Sequence, residues 1–447
     1  MSFMKCIKMP RRILIPMMLQ RWQSKSVDCL FQRGVKQQYA GEKPLQKRTH
    51  GKQWQTKRYQ HIKKLEVLSR LRMKNTTPQP LRVALVYDRV NTFGGAERVL
   101  RNLHELYPHA PLYTSVYDLA GAAWTKGWDV RPSFLQRVPF VRTHHQWLAL
   151  FMPLAFESFD FSAFDLVISV SSEAAKGIIT KPGTRHVCYL LTPTRYVWSH
   201  VHQYERDYFP GILKIFLPVY RFFLRYLRAW DSIAAQRPDL IIPISQTVKQ
   251  RVEKYYKRKT ANVIYPPVAT HLFESHTISS TSPFPWKQWY LCVSRLVPYK
   301  RIDAAIRACI LMKRHLVVVG KGHDEQRLRG ITGDSEYIHF VGYLTDDELV
   351  GYYQHCSALL LPGEEDFGIV AVEAMAAGVP VATYVKSGNA EVVIPGKTGV
   401  HIQIQTTQGV REAIQMLEKT QFTKQVIREY AKQYSEAVFK RAWEEQI

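Results

Sequence analysis

The residues whose types and spacing could do chemistry are two glutamates eight positions apart, Glu365 and Glu373, within "GEEDFGIVAVEAMAAG". The apolar run "ALLLP" precedes this stretch. The pattern predicts a buried strand, then an acidic loop, then an apolar helix closed by Gly378. Because the first amides of a helix lack partners within the helix, we expect a phosphate-binding position there. The amides in question are those of Phe367, Gly368 and Ile369.

Glu373 is a carboxylate inside a helix that is apolar all round, so it must be paired or hydrogen-bonded. It lies five residues past Gly368, or about 7.5 Å along a helix. That is close to the separation between the phosphates and the ribose diol of a nucleotide. Two interpretations remain open: Glu373 accepts two ribose hydroxyls, or it pairs structurally with a nearby arginine. Acids next to Glu365 could simply complement the helix dipole.

A second cluster lies in "SRLVPYKRID", where Arg295 ends a predicted strand and Lys300 and Arg301 precede a helix. Cations at the amino end of a helix oppose its dipole unless an anion binds there. Arg295 and Lys300 could converge on a diphosphate. Solvated surface charge is the alternative.

The turn "NTFGGAERVL" places Gly94 and Gly95 between the first predicted strand and its helix. Glycines allow the backbone to approach a ligand closely, although the full G-x-G-x-x-G pattern is missing. After a buried strand, "LLTPTRYVWSH" offers the polar and aromatic residues Arg195, Tyr196 and Trp198, a surface suited to sugars or phosphate.

A basic stripe runs along the predicted helix at 210–231, and it consists of Lys214, Arg221, Arg225 and Arg228. Such a stripe could contact an anionic membrane. A core helix with one solvated face has the same pattern, and the sequence slightly favours that alternative.

The elements that must position these residues alternate between short β-branched runs and helical runs, which predicts parallel sheets covered by helices. Strands are predicted at 82–88, 165–171, 186–191, 239–245, 262–268, 289–295, 315–322, 338–343, 356–363 and 379–385. The last five repeat the rhythm of the first five, so we predict an α/β chain of two doubly wound, Rossmann-like domains. Ligands of such sheets bind beyond the carboxyl ends of the strands.

The predicted organisation has five parts. They are a basic leader (1–80), a first domain (81–270), a linker (271–285), a second domain (286–423) and a C-terminal helix (424–447). The leader holds 19 Lys+Arg against 3 Asp+Glu, or +16 of the net +25. Its composition fits a targeting presequence or a nucleic-acid contact, but an over-long start ahead of Met73 is favoured. We therefore expect no nucleic-acid partner.

The six cysteines are scattered without the spacing of a zinc site or a disulfide scaffold. The core also lacks a P-loop and a clustered Asp-x-Asp pair. We expect no cofactor and no metal. The scattered cysteines fit a reducing cytoplasm, so we expect a cytoplasmic protein. The sequence contains no transmembrane-length apolar run, so we expect any membrane contact to be peripheral, at the inner face of the cytoplasmic membrane.

From about residue 81 onward the chain resembles the retaining glycosyltransferases of family 4. The resemblance rests on "GEEDFGIVAVEAMAAG", "SRLVPYKRID", "FGGAERVL", "AKGII", "TPTRYVW", "AWDSIAAQRPDLIIPIS" and "VIYPPV", in the order of that family. It implies the GT-B architecture, in which two doubly wound domains face a cleft. The first domain (81–270) would take the acceptor, with Arg195, Tyr196 and Trp198 as acceptor-side candidates, and the second (286–423) would bind the nucleotide sugar. The C-terminal helix (424–447) would pack back on the first domain. The resemblance also implies the branch that builds bacterial surface polysaccharides, including lipopolysaccharide, in which GDP-mannose is a common donor.

The resemblance implies roles for several residues. Glu373 would bind the donor ribose, Glu365 would contact the transferred sugar, and Arg295 and Lys300 would stabilise the departing diphosphate. Gly94 and Gly95 would shape the cleft. The partners would be a nucleotide sugar and a glycan or polyprenyl-linked acceptor, and the reaction would proceed without a metal.

One position departs from the family. Leu191 stands where many relatives have a histidine near the transferred sugar, and leucine cannot make a hydrogen bond there. His186, His200 or His202 could replace it. A catalytically weakened binding paralogue and a nucleotide-sugar epimerase of the same fold are therefore kept as alternatives.

Overall fold

The computed structural model of the protein describes residues 81–138, 148–208, 215–274 and 282–447. Residues 81–447 belong to one compact unit. The predicted leader and Lys214 of the basic stripe lie outside the described residues.

The first half of this unit is built on a parallel sheet of six strands. These are β1 (Val83–Tyr87), β2 (Leu112–Thr114), β3 (Val130–Pro132), β4 (Leu166–Ser171), β5 (Arg185–Leu190) and β6 (Leu240–Pro243). Their order in the sheet is β3-β2-β1-β4-β5-β6. The central strands β1 and β4 are buried along their whole length, because helices cover both faces of a parallel sheet.

The helices described in this half follow the strands along the chain. They are α1 (Gly95–Leu106), α2 (Met152–Glu157), α3 (Val201–Tyr208), α4 (Leu217–Ala234), α5 (Gln246–Tyr256) and α6 (Thr270–Glu274). The side chain of Ser245 caps α5 by accepting a hydrogen bond from the Val248 amide at 3.1 Å.

The second half repeats the plan. Its strands are β7 (Trp289–Val293), β8 (His315–Val319), β9 (Ile338–Gly342), β10 (Ala358–Leu361), β11 (Val381–Tyr384) and β12 (Gly399–Ile402). They pair in parallel in the order β12-β11-β10-β7-β8-β9. If the strands of each half are numbered from one to six along the chain, both sheets have the order 3-2-1-4-5-6. The strand order changes direction between the first and fourth strands, which is where such sheets bind ligands.

The helices of the second half begin with α7 (Ile302–Met312), which follows the single helical turn Pro298–Lys300. The others are α8 (Glu325–Thr332), α9 (Asp346–His355), α10 (Ile369–Ala376), α11 (Thr407–Lys419), α12 (Lys424–Ala431) and α13 (Glu436–Gln446). A capping box formed by Thr345 and Glu348 begins α9.

The chain end packs on the first half. Phe439 and Trp443 of α13 lie against Tyr189 of β5, with ring centroids 5.8 Å from it in both cases. The Trp443 indole also donates to the Tyr107 hydroxyl at 3.3 Å. The predicted single helix at 424–447 is wrong in one respect, since the turn Lys432–Tyr434 divides it into α12 and α13.

Two other predictions need correction. Residues 262–268 form no ladder strand, and Val268 makes only an isolated bridge with Ser435. Pro266 and Pro267 have no amide hydrogens to donate to a sheet. The predicted linker contains α6 at its start, because Phe273 is buried against the Tyr353 ring at 5.6 Å.

Strands β2 and β3 were not predicted, because three residues are too few to show a period. Strand β12, which is four residues long, was not predicted either. Within the described ranges, every helix is too short or too polar to cross a membrane.

Candidate functional site between the two sheets

The loop after β10 packs directly on the turn that carries Lys300. A Cβ on Gly363 would clash with the Lys300 backbone, so only glycine fits at this crossing. Lys300 is buried and its ammonium forms an ion pair with Glu365. A hydrogen bond from the Glu365 amide to the Ser387 hydroxyl, at 2.8 Å, holds the loop that carries Glu365. The two predicted catalytic residues Lys300 and Glu365 are therefore in contact.

The start of α10 lies against the glycine turn that begins α1. A Cβ on Gly95 would lie 2.8 Å from the Ile369 side chain, so this contact needs a glycine or a small shift of Ile369. Gly94 is the amino-terminal capping residue of α1, and Gly368 is that of α10. The positive φ of 85° at Gly368 favours glycine. The structure thus brings the predicted positions 94, 95, 368 and 369 together.

Phe367 contributes its backbone rather than its side chain to this surface. Its ring is buried and stacks on Tyr265 with a centroid separation of 5.5 Å. The ring also lies against Tyr434, at 5.8 Å, in the segment that precedes α13. These contacts hold the beginning of α10 in place.

Glu373 has partners for both of its carboxylate oxygens. One oxygen pairs with the Arg98 guanidinium, and the other accepts a 3.0 Å hydrogen bond from the Tyr353 hydroxyl. Arg98 also binds Asp346 at 2.8 Å. Burial disfavours the charged guanidinium, but attraction to Glu373 and Asp346 outweighs this and raises the pKa of Arg98. The structure therefore contains the arginine pair that the structural alternative requires.

Arg295 and Arg195 reach toward each other from opposite halves. Each donates a 3.2 Å hydrogen bond to the Tyr299 hydroxyl. The Lys300 ammonium lies 5.1 Å from the centre of the same ring. Tyr299 thus connects the predicted donor-phosphate residues with one of the predicted acceptor-side residues.

Asp366 is the most heavily paired carboxylate in this region. It forms ion pairs with Arg195 and Arg251, both from the first half of the chain. Burial alone would raise the pKa of Asp366, but the two guanidinium groups hold it below its ordinary value. The Ser245 hydroxyl adds a 2.5 Å hydrogen bond to the Asp366 carbonyl.

The carboxylate of Glu391, in the second half, also binds residues of the first half. It accepts hydrogen bonds from the amides of Gln246 at 2.7 Å and Thr247 at 2.6 Å, which are the first two residues of α5. These amides have no partner within their helix, so an acid from the other half caps it.

The remaining acceptor-side candidates, Tyr196 and Trp198, are half-buried like Arg195. The Trp198 indole donates to Asp231 at 2.7 Å, and its ring stacks on Tyr255 at 5.2 Å. Asp231 in turn pairs with the fully buried Lys176 at 2.6 Å. Burial raises the pKa of Tyr196 well above its ordinary value. Trp198 is therefore held by a polar network in the first half.

Of the three histidines considered as replacements at Leu191, one lies beside the donor segment. His200 has its ring 5.4 Å from Tyr299, and burial, followed by the positive charge of Arg195, lowers its pKa to about 4. His186 is fully buried and bonded to Ser169 at 2.8 Å. His202 is exposed and lies 3.4 Å from Glu205.

Sequence reasoning missed four participants, Arg98, Arg251, Tyr299 and Glu391. Arg98 and Tyr299 stand inside stretches already singled out, beside Gly95 and Lys300. Nothing in the sequence indicates Arg251 or Glu391, because their partners lie 115 and 145 positions away.

Comparison with known proteins finds similarity to glycosyltransferases. Residues 279–434 match the family model of the group 1 glycosyl transferases. A stretch of 227 residues is 26% identical to an uncharacterized glycosyltransferase of Methanocaldococcus jannaschii and covers 50% of this chain and 59% of that protein. A GDP-mannose-dependent alpha-(1-6)-phosphatidylinositol monomannoside mannosyltransferase of Mycobacterium tuberculosis is 32% identical over 140 residues, 28% of this chain and 36% of that protein. The chain thus spans less than two thirds of the length of either relative.

The fold is shared over a longer stretch. The crystal structure of HepE from Anabaena in complex with UDP superimposes with a TM-score of 0.60 at 18% identity, covering 82% of this chain and 99% of that one. The predicted GT-B architecture of two Rossmann-like domains is confirmed.

We expect Asp366→Asn to destabilise the protein by about 3 kcal/mol, because it leaves two partly buried guanidinium groups without a charged partner. The measurement is the free energy of unfolding in urea. Asp347→Asn is the matched control, since Asp347 is exposed on α9 and should change the free energy by about 0.5 kcal/mol or less. Equal unfolding midpoints for the two variants would show that Asp366 does not hold the two halves together.

Proposed function

We propose that the protein is a retaining glycosyltransferase of the family 4 type. It moves a hexose from a nucleoside-diphosphate sugar to a glycan acceptor that is attached to a lipid, in the synthesis of a surface polysaccharide. The observation that carries the proposal is the contact of Lys300 and Glu365 beside the start of α10, within a segment that matches the group 1 glycosyl transferases.

The donor diphosphate would lie where positive charge collects. Lys300 and Arg295 meet around Tyr299, and the free amides of α10 begin at Gly368, close to Gly95. Such preorganised donors stabilise the charge that develops on a departing diphosphate. In this proposal protein cations and amides neutralise the leaving group, and no metal takes part.

The transfer itself exchanges one bond for another at the sugar. The bond between the anomeric carbon and the diphosphate oxygen breaks, and a bond from the same face to the acceptor hydroxyl oxygen forms. The acceptor proton passes to a phosphate oxygen of the donor. Glu365, now paired with Lys300, would contact the transferred sugar.

The space beside Lys300 and Glu365 has a volume of only about 10 Å³, which is far too small for a nucleotide sugar. The residues that line this space all belong to the second half, so donor binding requires the Lys300 and Glu365 side chains to move apart. Ribose hydroxyls would then compete with Arg98 for Glu373, whose carboxylate is the buried group of that pair.

Mannose from GDP-mannose is the first candidate for the transferred group. The support is the Mycobacterium tuberculosis relative, which is a GDP-mannose-dependent mannosyltransferase. The HepE structure contains UDP, so UDP-sugars belong in the same screen.

We also propose that α4 contacts the membrane, which would bring the protein to a lipid-linked acceptor. Its residues Val219, Phe222 and Tyr226 are between 54% and 66% exposed, at spacings that place them on one side of the helix. The helix does have a buried face, which includes Leu224 and Leu227, but these three exposed side chains lie outside it. Arg221, Arg225 and Arg228 lie between this face and the buried face, as expected for a helix on an anionic membrane surface at the inner, cytoplasmic side.

The full chain incubated with GDP-mannose, UDP-glucose and related donors should slowly release nucleoside diphosphate from one of them. Glu365→Gln should lower kcat about a hundredfold with little change in KM, because its contact serves the transition state. Glu373→Ala should mainly raise KM. Glu444→Gln, an exposed site on α13, is the control. Nucleotide binding without release from any donor would favour a binding paralogue instead.

Phe222→Ser should weaken binding to anionic vesicles about tenfold, because it removes a large side chain from the apolar face of α4. The measurement is cosedimentation with vesicles of phosphatidylcholine and phosphatidylglycerol. Leu311→Ser removes a side chain of the same exposure, 66%, from α7 in the second half. Equal binding by the two variants would contradict the proposed membrane face.

A further inference from the structure

A cavity of about 350 Å³ lies between α3 and α4, away from the donor residues. Its lining includes Glu205 of α3, three arginines of α4, and Trp198 from the loop that precedes α3. This volume is in the range of small-ligand sites. The donor mechanism above does not use this cavity.

The charges that line the cavity do not cancel. Arg221 is neutralised by Glu205, which accepts hydrogen bonds from its Nε at 2.7 Å and its Nη2 at 3.0 Å. Arg228 donates to the Val197 carbonyl at 2.7 Å, which leaves its charge uncompensated. Arg225 has no hydrogen bond or ion pair with any residue that the structure describes. Three arginines and one glutamate thus leave a net charge of two positive.

We propose that this cavity binds a dianionic phosphate group, a phosphate monoester or a diphosphate, that belongs to the lipid-linked acceptor. The proposal rests on the proposed function, because it assigns the acceptor of that reaction. Guanidinium groups match phosphate oxygens in geometry as well as in charge. Two uncompensated arginines match a dianion better than the single charge of a common membrane phosphodiester.

The surroundings of the cavity fit an amphiphilic acceptor. On one side, α4 exposes the apolar face of Val219, Phe222 and Tyr226, which suits a lipid chain. On the other side, Trp198 belongs to the same short segment as Arg195, which reaches the Tyr299 hydroxyl at the donor loops. An acceptor could therefore extend from lipid to phosphate to sugar along one continuous surface.

Trp198 also ties the cavity to the rest of the first half. Arg228 lies over its ring at 5.3 Å, and the Asp231 carboxylate fixes its indole nitrogen. Solvated arginines on an ordinary helix surface are not held in this way. Arg228 and Trp198 are thus held in position by protein contacts without a ligand.

The test compares binding of the full chain to two kinds of phosphatidylcholine vesicle. One contains phosphatidic acid, whose headgroup is a phosphate monoester, and the other contains phosphatidylglycerol at equal total charge. The quantity is the ratio of the two affinities, since loss of any surface arginine lowers both through diffuse charge. We expect wild type to favour phosphatidic acid about tenfold, as one charge-assisted contact provides.

Arg225→Gln should abolish this preference, and Arg225→Lys should keep part of it. Arg307→Gln is the matched control, because Arg307 is exposed on α7, and it should keep the full preference. No preference in wild type, or an unchanged preference in Arg225→Gln, would overturn the proposal. The ratio requires no nucleotide sugar, so its failure contradicts the cavity assignment, whereas lack of donor turnover contradicts the proposed function.

Discussion

The arrangement of the site depends on the ion pairs that Asp366 forms with Arg195 and Arg251. Both arginines come from the first half of the chain, and Asp366 stands in the loop that also carries Glu365 and Gly368. If the loop moved away from the first half, both ion pairs would break at once. Asp366 would then be a buried charge without a partner, which is energetically costly. The donor loops and the acceptor-side residue Arg195 are therefore held in contact.

The same constraint explains why the donor region is nearly full in this structure. The ammonium of Lys300 binds Glu365, and the guanidinium of Arg98 binds Glu373. Each of these predicted ligand-binding groups has a protein partner of opposite charge. A nucleotide sugar would exchange these pairs for its own phosphates and hydroxyls, and the exchange at Glu373 would break an ion pair that joins the two halves.

Most of the strands could be predicted from the sequence. A parallel strand that is buried on both faces is a continuous apolar run, which can be recognised without knowing which strands it pairs with. The site was less accessible to sequence reasoning. The glycine turns and the Lys300 segment were found, since each is a local signal at the end of a strand. Arg98 and Arg251 were not assigned, because their roles arise only when residues far apart in the chain meet. The exposure of the α4 aromatic residues also could not be read from a helical period, which core and membrane helices share.

Binding of GDP and UDP to the full chain, measured by titration calorimetry, tests the central claim most directly. The account predicts that Lys300→Met weakens nucleoside diphosphate binding about tenfold, since a charge-assisted contact to the diphosphate is lost. Lys419→Met, at an exposed position in the last turn of α11, should bind like wild type. Equal affinities for wild type and Lys300→Met would contradict a donor site between the two sheets.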